Sequence, residues 1–174
     1  KYFFGVVGFA VFAMYIAQPL TPNFLEDARG LSLSSIGIVF TLGALGNSLM
    51  ALTFSRFEPH RGYVVAQIFV AAFAALIWRG TGVATLAFGY FLLGGFRASR
   101  PLAMAQARAF VHPSQMGLTY GAMETINAMI YILAPPLAGL IYENDPYMIY
   151  PLALALLAIS IVVSAIVPRR LLHA

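Results

Sequence analysis

Cysteine is absent from the 174 residues, only 9% of them are Asp, Glu, Lys or Arg, and one tryptophan, Trp78, stands among 61% hydrophobic residues. Without cysteine there is no disulfide, no thiolate metal site and no thiol nucleophile, and the redox compartment leaves no trace. Soluble domains average about 25% charged and about 45–50% apolar residues. The shortage of charge therefore excludes a water-soluble globule, a disordered segment and a nucleic-acid-binding domain. Catalytic motifs are missing too: there is no GxSxG, no HExxH and no Walker A loop. His60, His112 and His173 are scattered at segment borders, whereas metal ligands cluster, so neither a metal nor a cofactor is expected. The first residue is Lys1 and not Met, as in a processed chain or one cut from a longer polypeptide.

What is abundant is continuous apolar sequence, with a mean hydropathy of +0.85. A helix crosses the hydrocarbon with about 20 apolar residues at 1.5 Å each. Six stretches meet or approach that length: 2–25, 36–54, 62–78, 83–110, 117–142 and 147–167. The connections between them are too short to hold an extramembrane domain. Unbroken apolar runs satisfy their backbone in lipid only as helices, whereas barrel strands would alternate. The sequence thus predicts an all-α, polytopic membrane protein forming a single six-helix transmembrane bundle in contact with the lipid bilayer.

Net charge is +4, and its distribution orients the bundle. Lys1, Arg56, Arg61, Arg108, Arg169 and Arg170 fall on one side and only Arg29 and Arg79 on the other. The positive-inside rule puts both chain ends and the second and fourth connections in the cytoplasm of a cell-membrane protein. Trp78, Tyr142, Tyr147 and Tyr150 sit at span ends, where an interfacial aromatic belt is expected.

Strongly polar residues within a span must face protein or a cavity. Span 1 carries Gln18, span 2 Asn47 and Ser48, span 4 Arg97, Arg100 and Gln106, and span 5 Glu124 and Asn127. Spans 3 and 6 carry only Gln67, Ser160 and Ser164, and serine hydroxyls can bond back to their own helix. Four helices are therefore expected to line a pathway and two to stand outside it. Each of Gln18, Asn47 and Asn127 has a plainer alternative, an interhelical hydrogen bond worth about 0.6 kcal/mol. Gly43, Gly46, Gly94, Gly95, Gly117 and Gly121 are expected to permit close helix packing, the last two at small-xxx-small spacing.

Arg97 and Arg100 share a face of span 4, next to the helix-bending Pro101. Counted from Phe110, they lie about 20 and 15 Å deep; counted from Met116 on the next helix, Glu124 and Asn127 lie about 12 and 16 Å deep. An Arg100–Glu124 ion pair is expected. Such a pair can simply pin two helices, but two arginines against one acid leave a positive charge for an anionic group of a small-molecule substrate or for a further partner.

The connections resemble those of one half of a major facilitator superfamily transporter. That family's loop between its second and third helices reads Gly-x-x-x-Asp-Arg-x-Gly-Arg-Arg or similar; Ser55-Arg56-Phe57-Glu58-Pro59-His60-Arg61 keeps two arginines, with Ser55 in place of the acid and Glu58 in place of the glycine. Pro113-Ser114-Gln115-Met116-Gly117-Leu118-Thr119-Tyr120-Gly121 is similar to Pro-x-x-Arg-Gly-x-x-x-Gly, with Met116 for the arginine, and Ala134-Pro135-Pro136-Leu137-Ala138-Gly139 to Gly-Pro-x-x-Gly-Gly. The degenerate forms favour a C-terminal half. The resemblance implies a cavity lined by helices one, two, four and five, a second six-helix half as partner, and solute transport by alternating access about a site near the midplane. On this chain that wall would carry Arg97, Arg100, Glu124 and Asn127, joined by Asn47 and Gln18 from the polar census, and Glu124 could couple transport to protons. An accessory or assembly subunit and a channel are the alternatives.

Overall fold

A computed structural model describes residues 2–109 and 111–172. Expectations placed on Lys1, Phe110, His173 and the side chains of Arg169 and Arg170 lie outside the described residues. The chain is all-α: α1 (Tyr2–Tyr15), α2 (Thr21–Asn23) running into a π turn (Phe24–Ala28), α3 (Leu33–Phe54), α4 (Pro59–Arg79), α5 (Val83–Leu92), α6 (Gly94–Ala107), a 3-10 turn (Pro113–Gln115), α7 (Met116–Asn144) and α8 (Ile149–Leu172). Among the described residues, four segments are long and apolar enough to cross a membrane: Leu33–Phe54, Pro59–Arg79, Pro113–Asn144 and Ile149–Ile166. The protein is a multi-span membrane protein.

The stretch 2–25, expected as one helix, is broken. Pro19 has no N–H for the carbonyl of Tyr15, and Pro22 has none for that of Gln18. After α1 the backbone closes tighter bonds instead, Gln18 N–H to Tyr15 O at 2.9 Å and Thr21 N–H to Gln18 O at 3.2 Å. Side chains take two carbonyls released at the break. Gln18 Nε2 donates to Met14 O at 2.7 Å, Thr21 Oγ1 donates to Ala17 O at 2.5 Å, and the Tyr150 hydroxyl lies 3.2 Å from Thr21 Oγ1. A buried carbonyl left without a partner costs about 1–3 kcal/mol, and these side chains supply the partners that the break removes.

The stretch 83–110 is likewise two helices, joined at Leu93. Here α3 crosses so closely that backbone meets backbone: a Cβ on Gly94 would lie 2.6 Å from Gly46 O, and one on Gly46 would overlap the Phe91 carbonyl. On the other side, a Cβ on Gly95 would lie 2.9 Å from Ala66 O of α4. Gly46, Gly94 and Gly95 thus serve close packing as expected. Gly117 and Gly121 make no such approach among the described residues of this chain, where a Cβ at either meets nothing within 4 Å. The buried face of α7 runs through Thr119, Met123 and Asn127, two residues out of step and so on the opposite side of the helix.

Helix α4 packs against α5, α6 and α8, α3 against α5 and α6, and α1 against α7 and α8. The α4–α8 seam is polar at its centre: Gln67 Nε2 donates to Ser164 Oγ at 3.0 Å, and Ser160 Oγ donates to Gln67 Oε1 at 2.7 Å. The two serines therefore bond across helices and not back to their own, since a buried amide on the neighbour offers both a donor and an acceptor. Tyr150 also departs from expectation. It is fully buried beside Phe24, with its rings 4.7 Å apart, and takes no part in an interfacial belt.

Candidate functional site

The breaks in the first and fourth stretches flank a cavity of about 540 Å³. Tyr15 and Gln18 come from the end of α1 and its break, Phe40, Gly43, Ala44 and Asn47 from α3, Tyr90 from α5, Leu93 from its junction with α6, Phe96, Arg97 and Arg100 from α6, and Tyr131 from α7. Among the described residues, neither α4 nor α8 contributes a lining residue. The partition drawn from polar residues therefore holds for this cavity, even though α4 and α8 share a polar seam of their own.

Three lining residues stand four positions before a proline: Tyr15 before Pro19, Arg97 before Pro101 and Tyr131 before Pro135. Each proline removes the N–H that the earlier carbonyl would accept in a regular helix. The cavity is thus built where three of its helical walls lose regular backbone pairing.

Arg100 and Glu124 form the expected pair, and it is bidentate. Nη2 of Arg100 lies 2.6 Å from Glu124 Oε2, and Nε donates to Oε1 at 3.0 Å. Both side chains keep much of their solvent contact, 58% and 41% exposed, so the pair is screened more than a buried one. Helix α7 packs chiefly on α1 and reaches α6 through long side chains, here and where Arg108 Nε donates to Tyr120 Oη at 2.8 Å. Arg97, one turn from Arg100, is exposed, and no hydrogen bond or ion pair reaches it among the described residues.

Gln18 and Asn47 reach the cavity, though Gln18 also spends its amide on Met14. Asn127 does not line it. Asn127 is buried behind the wall formed by Phe96, Arg100 and Tyr131, in a pocket of about 20 Å³ shared with Tyr63. The Asn127 Oδ1 and the Tyr63 hydroxyl have no protein partner there, and the space matches about one water molecule. Two other polar residues turn away from the cavity. Gln106 Nε2 donates to Pro59 O at 3.1 Å, joining α6 to the start of α4, and the Ser48 hydroxyl bonds back to Ala44 O at 3.2 Å.

The aromatic lining is what the sequence concealed. Tyr15 lies edge-on to Tyr131 with ring centroids 4.7 Å apart and stacks on Phe96 at 5.8 Å. The available signal was that Tyr15, Tyr90 and Tyr131 sit inside spans and not at their ends. At the start of α4, Arg61 pairs with Glu58, the residue just before the helix, at 3.0 Å on the exposed surface, so Glu58, in place of a glycine, supplies a local partner to a basic residue.

The described residues form a multi-span helical bundle with a charged, aromatic cavity at its helix breaks. The chain matches the family model of the Major Facilitator Superfamily over residues 3–173, and it belongs to that superfamily. No curated protein matches it. Membership makes the chain a transport protein and not an enzyme, and among the described residues no group of three potential metal ligands exists.

Proposed function

We propose that this chain is one bundle of a secondary active transporter that moves a small anionic solute by alternating access. In this reading α1 with its following turns, and α5 with α6, supply two further crossings, for six in all. Both ends and the second and fourth connections face the cytoplasm of the cell membrane, and the loop motifs favour a C-terminal half. A second six-helix bundle closes the cavity. Large uncovered apolar faces on α3 and α7, with Leu33, Leu52, Leu118 and Ile132 at least 70% exposed, support that partner, since both helices also line the cavity.

The observation that carries the proposal is Arg97, a guanidinium on the cavity wall without a carboxylate, next to an arginine that has one. A charge at membrane depth is costly and is kept for a task. Binding and releasing an anion, with Asn47 and the tyrosine hydroxyls as added hydrogen-bond donors, is a task the geometry fits. Glu124, held by Arg100, is placed to take a proton when an arriving anion competes for that guanidinium.

Reconstituted vesicles test the reading. Arg97→Gln is expected to reduce uptake of the transported anion by more than tenfold, and Arg97→Lys to restore part of it. Undiminished uptake by Arg97→Gln would remove Arg97 from the pathway.

A further inference from the structure

A second chamber adjoins the cavity, and its chemistry is different. It measures about 340 Å³ and lies between the last turns of α3 and the middle of α6, against Ala51, Phe54, Phe57, Pro101, Leu102 and Ala105. Its lining is apolar apart from Ser55 and one charged residue, Arg97. Among the described residues, Arg97 is also the one found on the walls of both spaces. The unpaired guanidinium thus stands at the seam between a compartment of tyrosines and amides and a compartment of aliphatic and phenyl groups. Each volume is within the range of about 300–1,000 Å³ typical of small-molecule sites.

A wholly polar anion would engage Arg97 and leave the apolar chamber unused. A neutral apolar molecule would fill the chamber and leave the guanidinium unmatched. We infer that the solute is an amphiphilic organic anion, its charged head on Arg97 and facing Asn47, and its apolar arm in the chamber between α3 and α6. This inference rests on the reading of Arg97 as a solute-binding residue.

Chain length of the ligand provides the test. Linear alkanesulfonates from ethane- to hexanesulfonate keep their charge at any working pH. They are titrated calorimetrically into the chain in lipid nanodiscs, with partition into empty nanodiscs subtracted. Affinity is expected to rise by about fourfold per added methylene, the increment for burying one such group. Arg97→Gln is expected to weaken every member by at least tenfold and to leave that increment unchanged. Ala105→Phe, which fills the chamber, is expected to flatten the increment while ethanesulfonate still binds, the latter showing that the variant is folded. Affinity that depends on Arg97 but not on chain length, or an increment that survives Ala105→Phe, overturns the amphiphile inference and leaves the anion reading intact. Binding of all members that is indifferent to Arg97→Gln overturns both.

Discussion

Arg97 and Arg100 stand one helical turn apart on α6 and line the same cavity, yet only Arg100 is neutralised: Glu124 holds it through contacts of 2.6 and 3.0 Å. The asymmetry divides the labour of two like residues. Arg100 with Glu124 ties α6 to α7 across a gap that the helices themselves do not close, and under the proposed function Arg97 is the guanidinium left to meet an anion.

Neutralising Glu124 should affect transport more than folding. Both members of the pair are more than a third exposed, so Glu124→Gln is expected to shift the melting temperature by no more than a few degrees. It leaves two unpaired guanidinium groups on the wall, and under the proposed coupling it abolishes uptake driven by a proton gradient. Counterflow without a gradient should persist. Vesicle assays in both modes separate the outcomes, and full gradient-driven uptake by Glu124→Gln would end the proton-coupling proposal.

The polar seam between α4 and α8 is structural. Gln67→Leu removes two buried hydrogen bonds, but the serines it strands can turn to carbonyls of their own helix. A loss of about 1 kcal/mol is expected, within the range measured for interhelical hydrogen bonds in membranes. Gln67→Glu should cost more, because a carboxylate there would be fully buried with the two serine hydroxyls, and no charge, as its partners among the described residues. Unfolding of the two variants in mixed micelles gives the order, and a more stable Gln67→Glu would contradict it.

Two glycines that look alike in sequence should respond oppositely to alanine. At Gly94 the new methyl meets the backbone of Gly46 and Asn47 at 2.6–2.8 Å, where no side chain can move aside. A cost of about 1–3 kcal/mol is expected, as for other overpacked sites. At Gly117 nothing lies within 4 Å, so alanine should be neutral or gain up to about 1 kcal/mol of helix propensity. Equal melting temperatures for the two variants would show that the close crossing at Gly46 and Gly94 is not formed.

The membrane class, the apolar runs and the Arg100–Glu124 pair were legible because each depends on position along a helix axis, and 1.5 Å per residue converts sequence into depth. Direction around the axis was harder to read. Gln106 and Asn127 have the right depth but turn toward α4 and toward Tyr63, and Ser160 and Ser164 turn toward Gln67. The tyrosines of the cavity were hidden because an aromatic ring in an apolar span reads as core. Pro19 was visible, but where the chain would break depended on Gln18 and Thr21 taking the freed carbonyls. That is a tertiary and local bargain with no periodic signature.

Arg29 has a structural task that sequence position alone assigns to an outer loop. Its Nη2 donates to Ile77 O at 2.9 Å and to Trp78 O at 2.5 Å, capping the final turn of α4. The same guanidinium lies 5.3 Å from the centre of the Phe24 ring and 5.5 Å from that of Tyr147. A cation at a helix C-terminus meets both the unpaired carbonyls and the negative end of the helix dipole, and the aromatic faces add cation–π attraction. One side chain therefore fastens the π turn after α2, the end of α4 and the start of α8. Arg29→Ala is expected to cost about 2–3 kcal/mol, the range for hydrogen bonds to a charged group together with the strands of attraction above. Arg29→Lys should recover part of the loss, since an ammonium keeps the dipole attraction and can donate to a carbonyl, but lacks the planar guanidinium that lies over the Phe24 and Tyr147 rings while its Nη2 meets the Ile77 and Trp78 carbonyls. Hydrogen exchange at the last turn of α4 offers a local readout: faster exchange there in Arg29→Ala, with the Gln67 seam still protected, is the expected pattern, and unchanged exchange would show that the cap bears no weight.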